Sequence, residues 1–251
     1  MDCSHLFLDE IFLSLQGEGL EVGRPHLFLR LGGCPLRCAY CDTPRSWKQR
    51  ESFDLHSAHV SEVRANPLSA DDLSAVLQEV LTSYGLEASD VMLAVTGGEP
   101  LVQAQFLASW LPQWDGSVLL ETAGVLAQSL QTLIGSVQLL SLDWKLAETL
   151  RSGEELLETE ACLVLARQAN CTTQIKLVLT ETTSAEQVSA ALEIMAAKLP
   201  GATVFLQPVT PFAQGPLPPT ADCLLDWCLQ SRALPLDLRV LPQVHPLLGV
   251  R

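Results

Sequence analysis

Cys34, Cys38 and Cys41 lie in the run GGC-PLR-C-AY-CDT, with the spacing C-x3-C-x2-C. Three thiolates this close in sequence can hold one compact metal centre. A [4Fe–4S] cluster has four irons, so three cysteines leave one iron without a protein ligand. An open iron is a place for chemistry as well as for electron transfer. Gly32 and Gly33 let the chain wrap closely around a bulky group, and Pro35 stiffens the loop. The competing chemistry is structural zinc. Zinc takes four ligands, usually from two knuckles, and the nearest candidates, His26 and His56, are badly spaced.

Further candidates recur along the chain. The run T-G-G-E-P at 96–100 places Gly97 and Gly98, which expose backbone groups to a ligand, before Glu99; a tight turn is its bland reading. The run S-L-Q-G-E-G at 14–19 offers the Gln16 amide and the Glu18 carboxylate between flexible Gly17 and Gly19, a combination that reads the edge of a flat heterocycle or simply makes a β-turn. Arg30 alternates with Leu27, Leu29 and Leu31, so leucines facing helices would aim Arg30 inward. There it would grip an anion such as a substrate carboxylate, or close a structural salt bridge. Thr43, following the last cysteine, has a hydroxyl that suits Mg2+, although a loop Thr is usually a cap.

These residues need a scaffold. Short β-rich runs occupy 26–31, 91–95, 117–121, 137–142, 174–179, 203–207 and 238–241. Helical patterns occupy 69–84, 101–111, 125–133, 154–169, 184–198 and 220–229, the first opening on Ser69 as N-cap with Asp71 and Asp72 in its first turn. This alternation predicts a parallel sheet with outer helices. It also places the chemistry-capable groups at strand ends. Cys34 follows the first strand, 96–99 the second, Glu121 and Thr122 the third, Ser141, Asp143 and Lys145 the fourth, and Gln207 and Pro208 the sixth. Strand C-terminal ends are where β/α barrels and open α/β sheets build their sites. The stretch 51–67 lacks periodicity and reads as an irregular insertion in one domain spanning 1–251.

Composition narrows the class. The net charge is −14 with no Lys/Arg cluster in the sequence, which argues against nucleic-acid binding. No apolar run approaches the roughly 20 residues of a membrane helix, and the acidic start lacks a signal-peptide pattern, so a cytoplasmic location is expected. Eight cysteines in such a chain suggest metal or redox work. Cys3, Cys162, Cys171, Cys223 and Cys228 show no usable pattern and are expected to be ordinary core or surface thiols.

The cysteine loop, with Tyr40 before its last cysteine, and T-G-G-E-P resemble the two signatures of the radical S-adenosylmethionine (SAM) superfamily. With L-Q-G-E-G, F-L-R-L-G-G-C, C-D-T and the late R-V-L-P-Q-V-H-P-L-L-G, the chain closely resembles the 7-carboxy-7-deazaguanine synthase family from Phe12 to Gly249. That resemblance implies a reduced, partial (βα)6-type barrel and a homodimer. It implies ring contraction of 6-carboxy-5,6,7,8-tetrahydropterin to 7-carboxy-7-deazaguanine with loss of ammonia, on the route to queuosine and other 7-deazapurines. The implied cofactors are a [4Fe–4S] cluster, SAM and Mg2+, and a flavodoxin- or ferredoxin-type reductant is the implied partner. Carried over by residue, Cys34, Cys38 and Cys41 hold the cluster and Thr43 binds Mg2+. Leu15, Gln16, Gly17, Glu18, Arg30 and Thr96 meet the pterin. Tyr40, Asp42, Gly97, Gly98, Glu99, Ser141, Leu142, Asp143, Gln207, Pro208, Val209 and Thr210 line SAM. Two rivals remain at this point: an activase that installs a glycyl radical on a protein, and an Fe–S electron carrier without SAM chemistry.

Overall fold

A computed structural model describes residues 4–169, 171–213 and 215–250. Its sheet strands are β1 (Leu8–Leu15), β2 (Pro25–Leu31), β3 (Ser52–His56), β4 (Ser61–Ala65), β5 (Met92–Gly97), β6 (Val118–Thr122), β7 (Leu139–Trp144), β8 (Thr172–Leu179), β9 (Thr203–Pro208) and β10 (Asp237–Val240). They form one open sheet in the order β10-β9-β8-β7-β6-β5-β2-β1-β3-β4. From β2 through β5 to β10 every neighbouring pair is parallel. The helices α1 (Ala70–Ser83), α2 (Ala104–Trp110), α3 (Ala127–Leu133), α4 (Thr159–Gln168), α5 (Ala185–Lys198) and α6 (Ala221–Gln230) fall one between each successive pair of these parallel strands. A short α7 (His245–Leu248) follows β10. Six βα units on an unclosed parallel sheet give the parallel sheet with outer helices that the alternation predicts and the partial barrel that the family resemblance implies.

Two expectations need correction. The stretch 51–67 is an ordered hairpin rather than an irregular insertion: β3 pairs in parallel with β1 and antiparallel with β4. Its alternation is legible only once Phe53 and Leu55 are seen buried beside solvent-facing neighbours. Cys34 follows the second strand, because β1 precedes β2 and pairs antiparallel to it. The run that became β1, LDEIFLSL, carries the 2-residue period only partly, with Asp9 buried alongside its leucine neighbours. Cys3 lies outside the described residues. The other cysteines are free thiols, with Cys162 on the buried face of α4 and Cys223 exposed.

The sheet has two differently filled faces. Leu27, Leu29 and Leu31 belong to the large outer core that packs strands against helices. The opposite face holds a small separate cluster of Phe12, Phe28, Ala94, Leu119 and Leu139, in which the Phe12 and Phe28 rings stack 4.8 Å apart. This apolar layer floors the concave interior. Above it the same strand faces turn polar, because the 2-residue strand period carries Phe28 to Arg30, Ala94 to Thr96, Leu119 to Glu121 and Val204's neighbour Phe205 to Gln207.

Ser69 caps α1 by accepting the Asp72 N–H while Asp72 reaches back to the Ser69 N–H, a reciprocal capping box. Ser69→Ala removes one half of that pair, and the expected loss is about 1 kcal/mol of unfolding free energy. Urea denaturation of the two proteins measures it directly.

Candidate active site

The cysteine loop is fixed before any ligand enters. Gly32 N donates to Phe7 O at 2.9 Å, Gly33 N to Ser46 O at 2.8 Å and Cys34 N to Trp47 O at 3.2 Å. On the far side, Arg37 N donates to Ser152 O and Ala39 N to Thr149 O, so the segment after β7 straps the loop. Arg37 bonds the Cys34 and Leu36 carbonyls at 2.7 Å each and stacks 5.0 Å from the Trp47 ring.

The 96–100 turn locks onto this loop. Gly98 N donates to Leu31 O at 2.8 Å and Glu99 N to Gly33 O at 2.9 Å. A Cβ on Gly98 would lie 2.2 Å from Gly33 O, and one on Gly97, at φ +109, would lie 2.3 Å from Leu31 N. The glycines are therefore required by close backbone packing, and the Gly98 and Glu99 N–H groups are spent on the loop rather than offered to a ligand. The Glu99 carboxylate is buried. It accepts from Leu101 N, Thr122 Oγ1 and Ala123 N at 3.0, 2.6 and 2.9 Å, tying the end of β5 to the end of β6. Burial pushes its pKa up, against those three bonds.

Gly17 and Gly19 are likewise points of contact rather than flexible spacers. A Cβ on Gly17 would lie 2.4 Å from His245 Nδ1, and one on Gly19, at φ +68, 2.1 Å from Gln174 Nε2. Gln174 supports the 16–20 loop from below, accepting the Leu20 N–H at 2.7 Å while donating to Ser141 Oγ at 3.0 Å. Val244 N donates to Gly17 O at 2.9 Å, so the segment after β10 braces the loop from outside.

A cavity of about 520 Å3 opens over the C-terminal strand ends, within the range for small-molecule sites. Cys34, Cys38 and Cys41 line one part of it. Leu15, Gln16, Gly17, Glu18, Arg30, Tyr40, Asp42, Thr43, Thr96, Gly97, Gly98, Glu99, Asp143, Gln207, Val209 and Thr210 also line it. Three expected ligand contacts fall elsewhere. Ser141 is fully buried one layer below Asp143 and bonded to Gln174. Leu142 faces the outer core, because it is one residue off the interior face of β7. Pro208 ends β9 opposite Leu179 and is not part of the lining.

The cavity wall is densely charged. Lys176, on β8 and buried, pairs with Glu18 and lies 3.9 Å from Glu121 Oε2. Glu121 in turn accepts from Gln16 Nε2 at 3.1 Å and Thr96 Oγ1 at 2.9 Å. Gln243 Nε2 donates to Glu18 Oε1 at 2.7 Å and its carbonyl accepts from Thr210 Oγ1 at 2.5 Å. Burial alone would raise the Glu18 carboxyl, but the Lys176 charge and the bonds from Lys176 and Gln243 hold it at about 2. Burial likewise opposes the Lys176 charge, and Glu18 with Glu121 overrides it, so its pKa is raised. Lys145 pairs with Asp143 Oδ2 at 2.6 Å, lies 5.1 Å from the Tyr40 ring centre, and is held charged in the same way.

Lys176, Gln243 and His245 were not among the expected site residues, and Glu121 and Lys145 were recognised only as strand-end groups. One signal for Lys176 was available: a lysine inside the apolar run QIKLVL, on a strand buried from both sides, must have a partner. Nothing in the sequence near 243–245 points to residue 18.

The residues fit the cofactors. The half-buried thiols of Cys34 and Cys38 are raised by desolvation, Cys34 to about 12. His56 lies 3.2 Å from Glu10 and His26 sits at the opposite end of β2, so neither completes a zinc site. Among the described residues no three Cys, His, Asp or Glu side chains converge on a single ion, and a four-iron cluster spreads its thiolates more widely than one ion does. Asp143 Oδ1 and Gln207 Oε1 are buried without hydrogen-bond partners among the described residues. Both line the cavity. Orphaned acceptors of this kind await a ligand's donors, which SAM has.

Comparison with known proteins follows the same lines. The family described as "4Fe-4S single cluster domain" matches residues 15–130. The 7-carboxy-7-deazaguanine synthase of Geobacter sulfurreducens is 31% identical, with 96% of each chain covered. The crystal structure of QueE from Escherichia coli superposes with a TM-score of 0.58 at 24% identity, covering 94% of each chain. Streptococcus suis SuiB bound to S-adenosylmethionine superposes at 0.55 and 13% identity over 82% of this chain and 48% of that one. Fold and site together define a radical SAM enzyme with a [4Fe–4S] cluster. Within that class, the chain belongs to the 7-carboxy-7-deazaguanine synthase family.

Gly98→Ala pushes a methyl group into Gly33 O, and the expected result is a several-fold lower iron content after anaerobic reconstitution, read as iron per chain. Lys176→Met leaves the half-buried Glu18 and Glu121 without their buried cation, with an expected cost of about 3 kcal/mol at pH 7. The Glu18 contribution to stability is present above its ordinary value of 4.5 and is lost as pH falls toward about 2, because the folded protein resists the proton that the unfolded chain accepts. Urea midpoints at both ends of that window should therefore show the variant's penalty shrinking in acid. An equal penalty at both would mean that the pair is not held in its charged form.

Proposed function

We propose that this enzyme converts 6-carboxy-5,6,7,8-tetrahydropterin to 7-carboxy-7-deazaguanine, contracting the ring and releasing ammonia, with SAM, the cluster and Mg2+. The observation that carries this reading is that one cavity joins the three cluster cysteines to a set of fixed polar groups suited to a carboxylated heterocycle. The chemistry supplied by the bound cluster and SAM is abstraction of a substrate hydrogen atom as a radical.

The chain's own residues then bind and orient. Arg30 is held by Glu10 Oε2 at 3.3 Å and lies 5.5 Å from the Phe12 ring centre, so its guanidinium is positioned at low entropic cost to receive the substrate carboxylate. Gln16 is buried, its amide oriented by Glu121 and by the Glu18 N–H at 3.2 Å, and it meets the pterin edge together with Leu15, Gly17, Glu18 and Thr96. Thr43 binds Mg2+; the Asp42 carboxylate, 3.3 Å from its hydroxyl, places a second hard oxygen beside it. Tyr40, Asp42, Asp143, Gln207, Val209 and Thr210 contact SAM, with Gly97 and Gly98 contributing carbonyls. Phe12 and Phe28 close the floor against water.

A homodimer and a flavodoxin- or ferredoxin-type reductant complete the reading on the strength of the family. Among the described residues no helix is long and apolar enough to cross a membrane. Anaerobic incubation with SAM, dithionite, Mg2+ and the carboxypterin, with the product mass measured, tests the reaction itself. Arg30→Ala should lower carboxypterin turnover by about 10- to 100-fold while uncoupled SAM cleavage changes little. Equal losses in both would remove Arg30 from substrate recognition, and full activity without Mg2+ would remove Thr43 from the metal role.

A further inference from the structure

Thr43 stands at the N-cap position of the short turn Pro44–Trp47, yet its hydroxyl caps nothing. It lines the cavity and donates to Asp42 Oδ1 over a long 3.3 Å. The turn is held from behind. The Thr43 carbonyl accepts from Ser46 N at 3.0 Å and from Ser46 Oγ at 2.7 Å, and Ser46 is buried. Arg45, between them, reaches away from the cavity into the sheet. Its Nε donates to Asp9 Oδ1 at 2.7 Å, its Nη2 to Asp9 O at 3.0 Å and its Nη1 to Asp54 Oδ2 at 2.6 Å. Asp9 is buried, and it is the extra residue of a β-bulge: Leu8 pairs with Leu31 and Glu10 with Arg30. A bulge takes its extra residue out of the ladder and re-aims the side chain. Here both the carbonyl and the carboxylate of that residue go to Arg45. Asp54 comes from β3, and the β3–β4 hairpin is itself fastened. Asn66 Nδ2 donates to Leu8 O at 2.7 Å, and Arg64 grips Glu79 of α1 with two bonds.

We propose that Arg45, clamped between the bulged Asp9 and the hairpin's Asp54, is a positioning residue that sets the Thr43 hydroxyl for a divalent cation; the inference rests on the Mg2+ reading of Thr43. Mg2+ demands near-octahedral oxygen ligands at about 2.1 Å and tolerates little displacement. Pro44 and Arg45 are exposed, so the turn has solvent on one side and gains little fixity from packing there. The clamp supplies that fixity by tying the turn to two strands, β1 and β3. The guanidinium suits the task, because its planar fork holds several acceptors at once in fixed directions. The clamp also gives the β3–β4 hairpin a part in the site. No described residue of 51–67 lines the cavity, so the hairpin acts there through Asp54 and Arg45. A bridge that served stability alone would leave metal affinity untouched, and this separates the two roles.

Reconstituted holoenzyme with SAM and the carboxypterin, without reductant, tests this with Mn2+ as the probe. Free Mn2+ is read by electron paramagnetic resonance, and competition by Mg2+ assigns the site. Arg45→Met should weaken Mn2+ binding by about tenfold. Iron per chain should stay the same, because Gly33 N and Cys34 N are held by the Ser46 and Trp47 carbonyls rather than by the Arg45 side chain. Asp54→Asn should weaken Mn2+ binding in the same direction and by less. Arg64→Met cuts the hairpin's ion pairs to Glu62 and Glu79 and should leave Mn2+ affinity within about twofold. Unchanged affinity in Arg45→Met, an equal loss in Arg64→Met, or a parallel loss of iron overturns the positioning role. Should Arg45→Met fail to fold, Asp54→Asn decides: affinity equal to that of the unsubstituted enzyme overturns the proposal. Mn2+ binding that survives Thr43→Val unchanged would instead overturn the metal reading beneath it.

Discussion

The backbone contact between the Gly32–Gly33 corner and the Gly98–Glu99 turn is the constraint around which the site is built. Glu99 N donates to Gly33 O, Gly98 N donates to Leu31 O, and the two chains approach so closely that no side chain fits at Gly98. The contact joins the ends of β2 and β5, and the Glu99 carboxylate extends it to the end of β6. Three parallel strands thus end at one height. The cysteine loop leaves β2 with its direction fixed, and the three thiols reach the cavity from a platform that leaves little freedom to rearrange.

Around this platform charge is paired rather than avoided. Lys176 stands between Glu18 and Glu121, Lys145 beside Asp143, and Arg30 beside Glu10. A cation held this far from water is costly alone and tolerable only with its acid. The pairs do more than neutralise one another. Glu121 orients Gln16 and Thr96, and Glu18 draws in Gln243 from the segment after β10. The cavity is therefore closed by residues far apart in sequence but linked through shared carboxylates. This network is polar enough to recognise a heterocycle and rigid enough to hold it, with the Phe12–Phe28 stack excluding water below.

The sequence by itself determined the close spacing of Cys34, Cys38 and Cys41, the inward aim of Arg30, the strand-end placement of Thr96 and Asp143, and the six βα units, because residue spacing and hydrophobic periodicity are local properties. It read Gly17 and Gly19 as flexible spacers and did not show that Gly97 and Gly98 are also packing positions, since close approach to His245, Gln174, Leu31 and Gly33 leaves no mark in the neighbouring residues. It grouped Ser141 and Leu142 with Asp143 at one strand end, whereas β7 buries Ser141 a layer below Asp143 and its period of two turns Leu142 to the outer core. It missed the β3–β4 hairpin, whose alternation is short, and it offered no link between Lys176 and Glu18 or between Gln243 and Glu18. Such pairings exist only after the sheet curves and brings β8 and the segment after β10 over the loop that follows β1. Long-range electrostatics and backbone-to-backbone contact are decided by that curvature, which no local pattern of residues encodes.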